Sequence, residues 1–109
     1  MVEIRIRTDS RDRLSSFFAS GHAGWADHGS DVVCAAISTA LQSAWLGLTE
    51  VASVPVVGEK HDGALRLTWP EHVRDDPAVR AIVMTAARTV EAIAAQYPGS
   101  ARIVHESDE

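Results

Sequence analysis

The sequence predicts one α+β domain, in which a mostly antiparallel sheet packs with two helices in the order ββαββαβ. Three observations predict this class: a strictly alternating N-terminal segment, a long apolar period of three to four residues near the middle, and a second such period bounded by helix start and stop signals. The 109 residues have the length of one domain, residues 1–109, without a linker, repeat or low-complexity block. A hydrophobic content of 46% with 23% charged residues is typical of a soluble globular protein.

The first two elements are predicted strands. In "VEIRIRT" (residues 2–8) apolar and charged side chains alternate, which is typical of a half-buried strand. "SRDR" then indicates a turn, and "LSSFFAS" (residues 14–20) a second strand that ends at Gly21. We expect the two strands to pair as a hairpin.

A glycine-bearing loop and a long helix come next. The loop is predicted from His22 to about Gly29, and the helix from Ser30 or Asp31 to about Ala52. Ser30 is a natural N-cap, Asp31 suits the positive end of the helix dipole, and Pro55 limits the C-terminal end. The residues that recur at spacings of three and four on the expected buried face are Val33, Ile37, Ala40, Ala44, Leu48 and Val51.

The second half repeats the alternation of strands and helix. "VPVVGEK" (residues 54–60) and "ALRLTW" (residues 64–69) are predicted strands on either side of "HDG". The second helix is capped by Asp76, has Pro77 at its first position and ends at Pro98-Gly99.

The C-terminal residues are predicted to add an edge strand and a tail. Residues 100–105, "SARIVH", have the composition of a last edge strand. Residues 106–109, "ESDE", are expected to be a frayed acidic tail.

Charge and cysteine usage exclude several classes of function. The net charge is −5 and the pI about 5.4, without a basic stripe, so we expect no direct contact with nucleic acid. The N-terminus lacks an apolar signal region, and we expect no apolar run of membrane-spanning length and no membrane partner. One cysteine cannot form an internal disulfide, which favours a cytoplasmic location.

The single cysteine follows a glycine-rich, histidine-bearing loop and lies near a predicted helix start, in "GHAGWADHGSDVVC" (residues 21–34). If Ser30 caps the helix, Cys34 lies about one turn inside it, where the dipole still favours a thiolate. His22, brought back by the loop, would take the thiol proton, and backbone N–H groups at the helix start would stabilise an oxyanion. Spacing alone leaves the other interpretation open, namely that Cys34 is a small buried core residue and His22 a surface side chain.

The pair "GHAG" and "GSDVVCAAIS" resembles the signature of the bacterial ribosomal-processing cysteine proteases, the Prp family. The resemblance implies that Cys34 is the nucleophile, that His22 is its partner, and that no cofactor is needed. It also implies a homodimer whose mobile loop, here residues 23–30, is ordered by substrate. Members of that family remove a short N-terminal extension from a large-subunit ribosomal protein, so a ribosomal protein with such an extension is the expected partner.

Four further side chains are candidates for the same site. Trp25 is the expected substrate contact in the loop, or else an anchor of the loop. Asp31 orients His22, or is an ordinary acidic residue of a first helical turn. Ser38, one turn after Cys34, touches the site or bonds to the preceding turn. His28 is a rival base or a solvent-facing side chain.

A metal site is the main chemical competitor. His22, His28 and Cys34 offer three ligands, with His61 or His72 as a fourth, but their spacings match no compact zinc pattern. We therefore expect no metal, and without a glycine-rich phosphate loop no nucleotide cofactor. The prediction is a cytoplasmic, dimeric cysteine endopeptidase; the alternative is a non-catalytic dimeric module that binds a ribosomal or other peptide in the same cleft.

Overall fold

The N-terminal hairpin forms where the alternation predicts it. The computed structural model describes residues 1–21 and 28–108, and for residues 28–31 the backbone alone. β1 spans Val2–Thr8 and β2 spans Leu14–Ser20, and the two pair in antiparallel fashion. Alternate residues of both strands are buried, so one face of the hairpin lies on the core.

Three more strands complete a five-stranded sheet. β3 spans Val57–His61, β4 spans Ala64–Thr68 and β5 spans Ala101–Ser107, in the sheet order β3-β4-β2-β1-β5. Three ladders are antiparallel, and β5 pairs parallel to β1. The predicted fold class is therefore confirmed.

The boundaries of two predicted strands need correction. β3 begins at Val57 rather than Val54, because Val54 is buried and donates its N–H to the carbonyl of Leu48 at 2.8 Å. The expected frayed tail is wrong for its first residues: β5 continues through Glu106 and Ser107. Glu106 accepts a 2.8 Å hydrogen bond from Arg5 of the neighbouring strand, which explains why the strand is longer.

Two helices cover one face of the sheet. α1 spans His28–Leu46 and continues into a π-helical turn, Gly47–Val51. α2 spans Pro77–Gln96, and the Asp76 carboxylate caps it as predicted, accepting from the N–H groups of Ala78 and Val79.

α1 begins earlier than the sequence suggested. Its first residue is His28, so Ser30 is the third helical residue and not the N-cap, and the expected loop of residues 23–30 ends by residue 27. Val51 is also wrongly placed on the buried face, since it is 81% exposed. The π-helical turn changes the phase of the helix at that point.

One continuous core lies between the sheet and the helices. Phe17 of β2 and Trp69, just after β4, meet edge to face with ring centroids 5.1 Å apart, and both are fully buried. The Trp69 indole N–H donates to the carbonyl of Leu14 at 2.8 Å. The α1 residues that reach this core are Val33, Cys34, Ile37, Leu41 and Ala44, and the π-helical turn adds Leu48.

The segment Val32–Val51 corrects the expectation that no apolar run is long enough to cross a membrane. It has 20 residues, and an 18-residue window within it has a mean hydropathy of 1.5, so its length and composition would allow it to cross a membrane. Since its residues Val33, Ile37 and Leu41 are buried in the core that α1 shares with the sheet, we interpret it as the core helix of this domain.

Candidate active site

Cys34 lies on α1 at the edge of the core. It is the seventh residue of the helix and 8% exposed. With a rise of about 1.5 Å per residue, the helix start is about 9 Å away along the axis. The dipole effect fades within the first turn, so the predicted activation of Cys34 by the helix start is weaker than a cap at Ser30 implied.

His22, the expected partner, lies outside the described residues, but the residue before it is well placed. Gly21 follows β2 with a φ of +86°, a conformation that favours glycine. Its N–H donates to the carbonyl of Gly63 at 3.1 Å, and a Cβ there would lie 2.9 Å from the carbonyl oxygen of Met1. β1, β2 and the β3–β4 turn therefore fix the backbone immediately before His22.

Ser38 is one turn beyond Cys34, as predicted, and it is half-buried. Its hydroxyl oxygen accepts a hydrogen bond from the Gln42 side-chain amide at 2.6 Å. Sequence reasoning missed Gln42. The available signal was its spacing, because residues four apart on a helix are neighbours.

Cys34, Ser38 and Gln42 lie along one border of the buried face of α1. At about 100° per residue, Ser38 is rotated about 40° from Cys34, and Gln42 about 80°. The other border faces α2, across a groove of about 640 Å³ lined mainly by small side chains such as Ala36, Ala40, Gly47 and Ala81. Ala40 is about 240° from Cys34. The candidate site is thus separate from the α1–α2 groove.

The remaining candidates lie wholly or partly outside the described residues. Trp25 lies outside the described residues, and the side chains of His28 and Asp31 do as well. The backbone of His28 begins α1, so the expectation that it belongs to the loop is wrong.

The two alternative fourth ligands of the metal hypothesis, His61 and His72, lie at opposite ends of β4. His61 ends β3 beside Ala64 at the start of β4, whereas His72 follows the other end of β4, in a short 3-10 turn at Glu71–Val73. Both are exposed. Among the side chains that the structure describes, those of residues 1–21 and 32–108, no three His, Cys, Asp or Glu side chains are grouped as metal ligands.

Comparison with known families decides the class of protein. The sequence profile of the family described as cysteine protease Prp matches residues 1–102, nearly the whole chain. This chain belongs to the Prp family of cysteine proteases. The predicted resemblance is confirmed, and the enzyme is favoured over the non-catalytic binding module. No curated protein sequence matches the chain.

Three solved structures share the fold, and two of them are of a Prp protease. The essential ribosomal processing protease Prp from S. aureus, in complex with a substrate peptide, superposes with a TM-score of 0.87 at 18% identity, over 96% of this chain and 99% of that one. The same protease with a covalently linked product peptide gives 0.83 at 19% identity, with the same coverage. SMU.848 from Streptococcus mutans gives 0.90 at 20% identity over 99% of both chains.

The buried carboxylate of this Prp protein, Asp9, lies at the far end of the hairpin from Gly21. Burial alone would raise its pKa, but the N–H groups of Arg13 and Arg11 and the guanidinium of Arg74 lower the pKa to about 2. β2 separates the two ends by about 20 Å, so this cluster lies far from the backbone that precedes His22, and it stabilises the turn between β1 and β2.

Proposed function

We propose that this Prp protease hydrolyses peptide bonds with Cys34 as nucleophile and His22 as general base and acid. The observation that carries the assignment is that Cys34 is the only cysteine in the sequence of a cysteine protease. A thiol protease needs a cysteine sulfur, and this chain offers one.

The proposed reaction has two steps. His22 takes the proton of the Cys34 thiol, and the sulfur attacks the peptide carbonyl, so that a C–S bond forms as the C–N bond breaks. His22 returns the proton to the leaving amine. It then activates a water that hydrolyses the thioester and releases the acyl product, regenerating the thiol.

For the substrate, we propose the N-terminal extension of a large-subunit ribosomal protein. Support comes from the fold shared with a ribosomal processing protease that was captured with a substrate peptide. The negative net charge supports it too, because an acidic enzyme attracts a basic protein. A cytoplasmic location follows from that substrate.

We also propose that the enzyme is a homodimer, as the resemblance to Prp proteins implies. Several large apolar side chains are exposed on the described surface, and they are the candidates for such an interface. They include Val32, Leu46, Val51, Val57 and Met84. Sedimentation velocity tests the proposal, and a monomer at micromolar concentration would contradict it.

A cleavage assay with mass-spectrometric product identification tests the chemistry and the substrate together. The substrate is the host's own ribosomal protein, or an extension-bearing homologue if the host protein has none. We expect one cut, lost in Cys34→Ala and in His22→Ala and retained in His61→Ala, whose imidazole is exposed at the end of β3.

Two results would separate the parts of the proposal. If Cys34→Ala still cuts, the nucleophile is wrong. If the wild type leaves the extension intact but cleaves other peptides through Cys34, the chemistry stands and the substrate is wrong.

A further inference from the structure

The outer face of the sheet carries a small polar cavity on the side of the molecule opposite Cys34. Cys34 belongs to the core between the helices and the inner face of the sheet. The cavity has a volume of about 260 Å³, and guanidinium cations outnumber carboxylates among its lining side chains. The lining residues come from four strands and are Arg5, Arg7, Ser16, Phe18, Arg66 and Glu106.

The strand register arranges these side chains in rows across the sheet. Phe18 of β2 pairs with Arg5 of β1 on one side and with Arg66 of β4 on the other. Arg7 pairs with Ser16 in the next row of the same face. Hydrogen-bond donors from β1, β2 and β4 therefore surround one concave patch.

Arg66 carries a positive charge that no described carboxylate neutralises. Its guanidinium carbon lies 4.3 Å from the centre of the Phe18 ring, a cation–π contact. Glu59 is opposite Arg66 on β3, but its carboxylate contacts His61 at 4.0 Å instead. The Phe18 ring holds the guanidinium without cancelling its charge, so the N–H groups of Arg66 remain able to bind an anion.

Glu106 shows that an oxyanion is bound at this face by two other cations. Its carboxylate contacts Arg5 at 2.8 Å and Arg7 at 3.4 Å. Outside the cavity, Arg5 also pairs with Glu3 at 2.8 Å. Arg7 pairs with Asp108 at 3.1 Å. The contacts of Arg7 are the longer ones, and a guanidinium has more N–H groups than these two contacts use, so Arg7 retains donors for a further anion.

Ser16 supplies a neutral donor at the same wall. Its side chain is half-buried, and no described residue forms a hydrogen bond with its hydroxyl. Ser16 and Arg66 are therefore donors in the cavity that the described part of the fold does not use.

We propose that this cavity is a binding site for a phosphate group, held by Arg66, Arg7 and Ser16 beside the Glu106 carboxylate. Guanidinium groups bind phosphate oxygens in pairs, and a tetrahedral phosphate offers oxygens in several directions, which suits donors from three strands. The site goes beyond the proposed protease function, because none of its residues belongs to the Cys34 site.

The test is a titration of the whole chain with inorganic phosphate, followed by ¹H–¹⁵N NMR at constant ionic strength set with chloride. We expect the side-chain N–H signals of Arg7 and Arg66 and the amide signal of Ser16 to shift and saturate, while the amide signal of Cys34 stays in place. Arg66→Gln should raise the dissociation constant about tenfold, since it removes a charge-assisted hydrogen bond.

Arg80→Gln is the matched control for charge. Arg80 is exposed on α2 and forms no ion pair with a described residue, so this variant removes one positive charge away from the cavity. The dissociation constant should stay within about twofold of the wild type. Glu106→Gln should lower it, because the variant removes the one carboxylate that repels a phosphate in the cavity.

Adenosine monophosphate distinguishes two sources of the phosphate group. An affinity no higher than that for inorganic phosphate assigns the site to free phosphate. Tighter binding assigns it to a nucleotide whose base stacks on the Arg66 guanidinium.

The proposal is overturned if inorganic phosphate shifts no signal of Arg7, Ser16 or Arg66, or if Arg66→Gln and Arg80→Gln weaken binding equally. An affinity that is unchanged or weaker in Glu106→Gln also overturns it, since the charge of the cavity would then not govern binding. Peptide cleavage is not part of this readout, so failure of the proposed protease function appears separately.

Discussion

The indole ring of Trp45 lies directly against the backbone of Gly58, so that a methyl group at Gly58 would overlap the ring. This contact joins the C-terminal half of α1 to the edge strand β3. The ring occupies the space in which any other residue would place its side chain, so the close approach requires glycine here.

Gly58→Ala should therefore destabilise the protein by about 1–3 kcal/mol, the usual cost of overpacking. Urea unfolding followed by tryptophan fluorescence measures the change in the free energy of unfolding. Gly99→Ala is the matched control, since no atom lies within 4 Å of its added methyl. Equal free energies of unfolding for the two variants would show that the Trp45 ring moves aside without a loss of stability.

Gly21→Ala should reduce both stability and peptide cleavage. Alanine is strained at a φ of +86°, and its Cβ would press on the Met1 carbonyl, so the backbone before His22 must shift. We expect a loss of about 1 kcal/mol or more of stability and a larger fractional loss of kcat/KM. Measured kcat/KM equal to that of Gly99→Ala would contradict the role given to Gly21.

Asp9 should make stability depend on acid pH. Its pKa is lowered to about 2 in the folded protein, below its value in the unfolded chain. Its stabilising contribution is therefore present above pH about 4 and is lost as the pH falls toward 2. Asp9→Asn should flatten this part of the pH profile of unfolding free energy.

Asp62→Asn provides the comparison for that profile. Asp62 is exposed in the β3–β4 turn, so the variant removes a carboxylate without touching the Asp9 cluster. It should keep the steep acid limb of the wild type. A steep limb in Asp9→Asn as well would assign the acid sensitivity to other carboxylates.

Cys34 should react with iodoacetamide near neutral pH faster than cysteine in a short peptide. The proposed His22 pair keeps part of the thiol as thiolate, and the thiolate is the reactive form. His22→Ala should slow the alkylation. The rate is followed by intact-mass spectrometry, with His72→Ala as the control because His72 is exposed beyond β4. Labelling only on unfolding would contradict an active thiol.

Much of the fold could be predicted because local patterns and core burial agree. The alternation in β1 and β2, and the Asp76-Pro77 start of α2, fixed element bounds that the structure reproduces. The start of α1 was missed because Ser30 has the chemistry of a cap but lies inside a helix that begins at His28. The end of β5 was missed because Arg5, a partner distant in sequence, holds Glu106 in the strand.

The residues of the candidate site could be predicted from the sequence, but the side-chain contacts around them could not. Cys34 and Ser38 follow from helical spacing, and the structure places both on α1 as expected. Gln42 has no motif of its own, and only the structure shows its 2.6 Å contact with Ser38. The contact depends on side-chain rotamers, which a spacing pattern does not determine.

The position of Met1 has a practical consequence for how the enzyme is prepared. Because the Met1 carbonyl lies beside Gly21, residues joined ahead of Met1 begin next to the residue that precedes His22. For a protease proposed to act on N-terminal extensions, an affinity tag at that end is a tethered competitor at high effective concentration. Near the C-terminus, the Asp108 N–H donates to the Thr8 carbonyl at the other end of β1, about 20 Å away. A C-terminal tag therefore stays clear of the site.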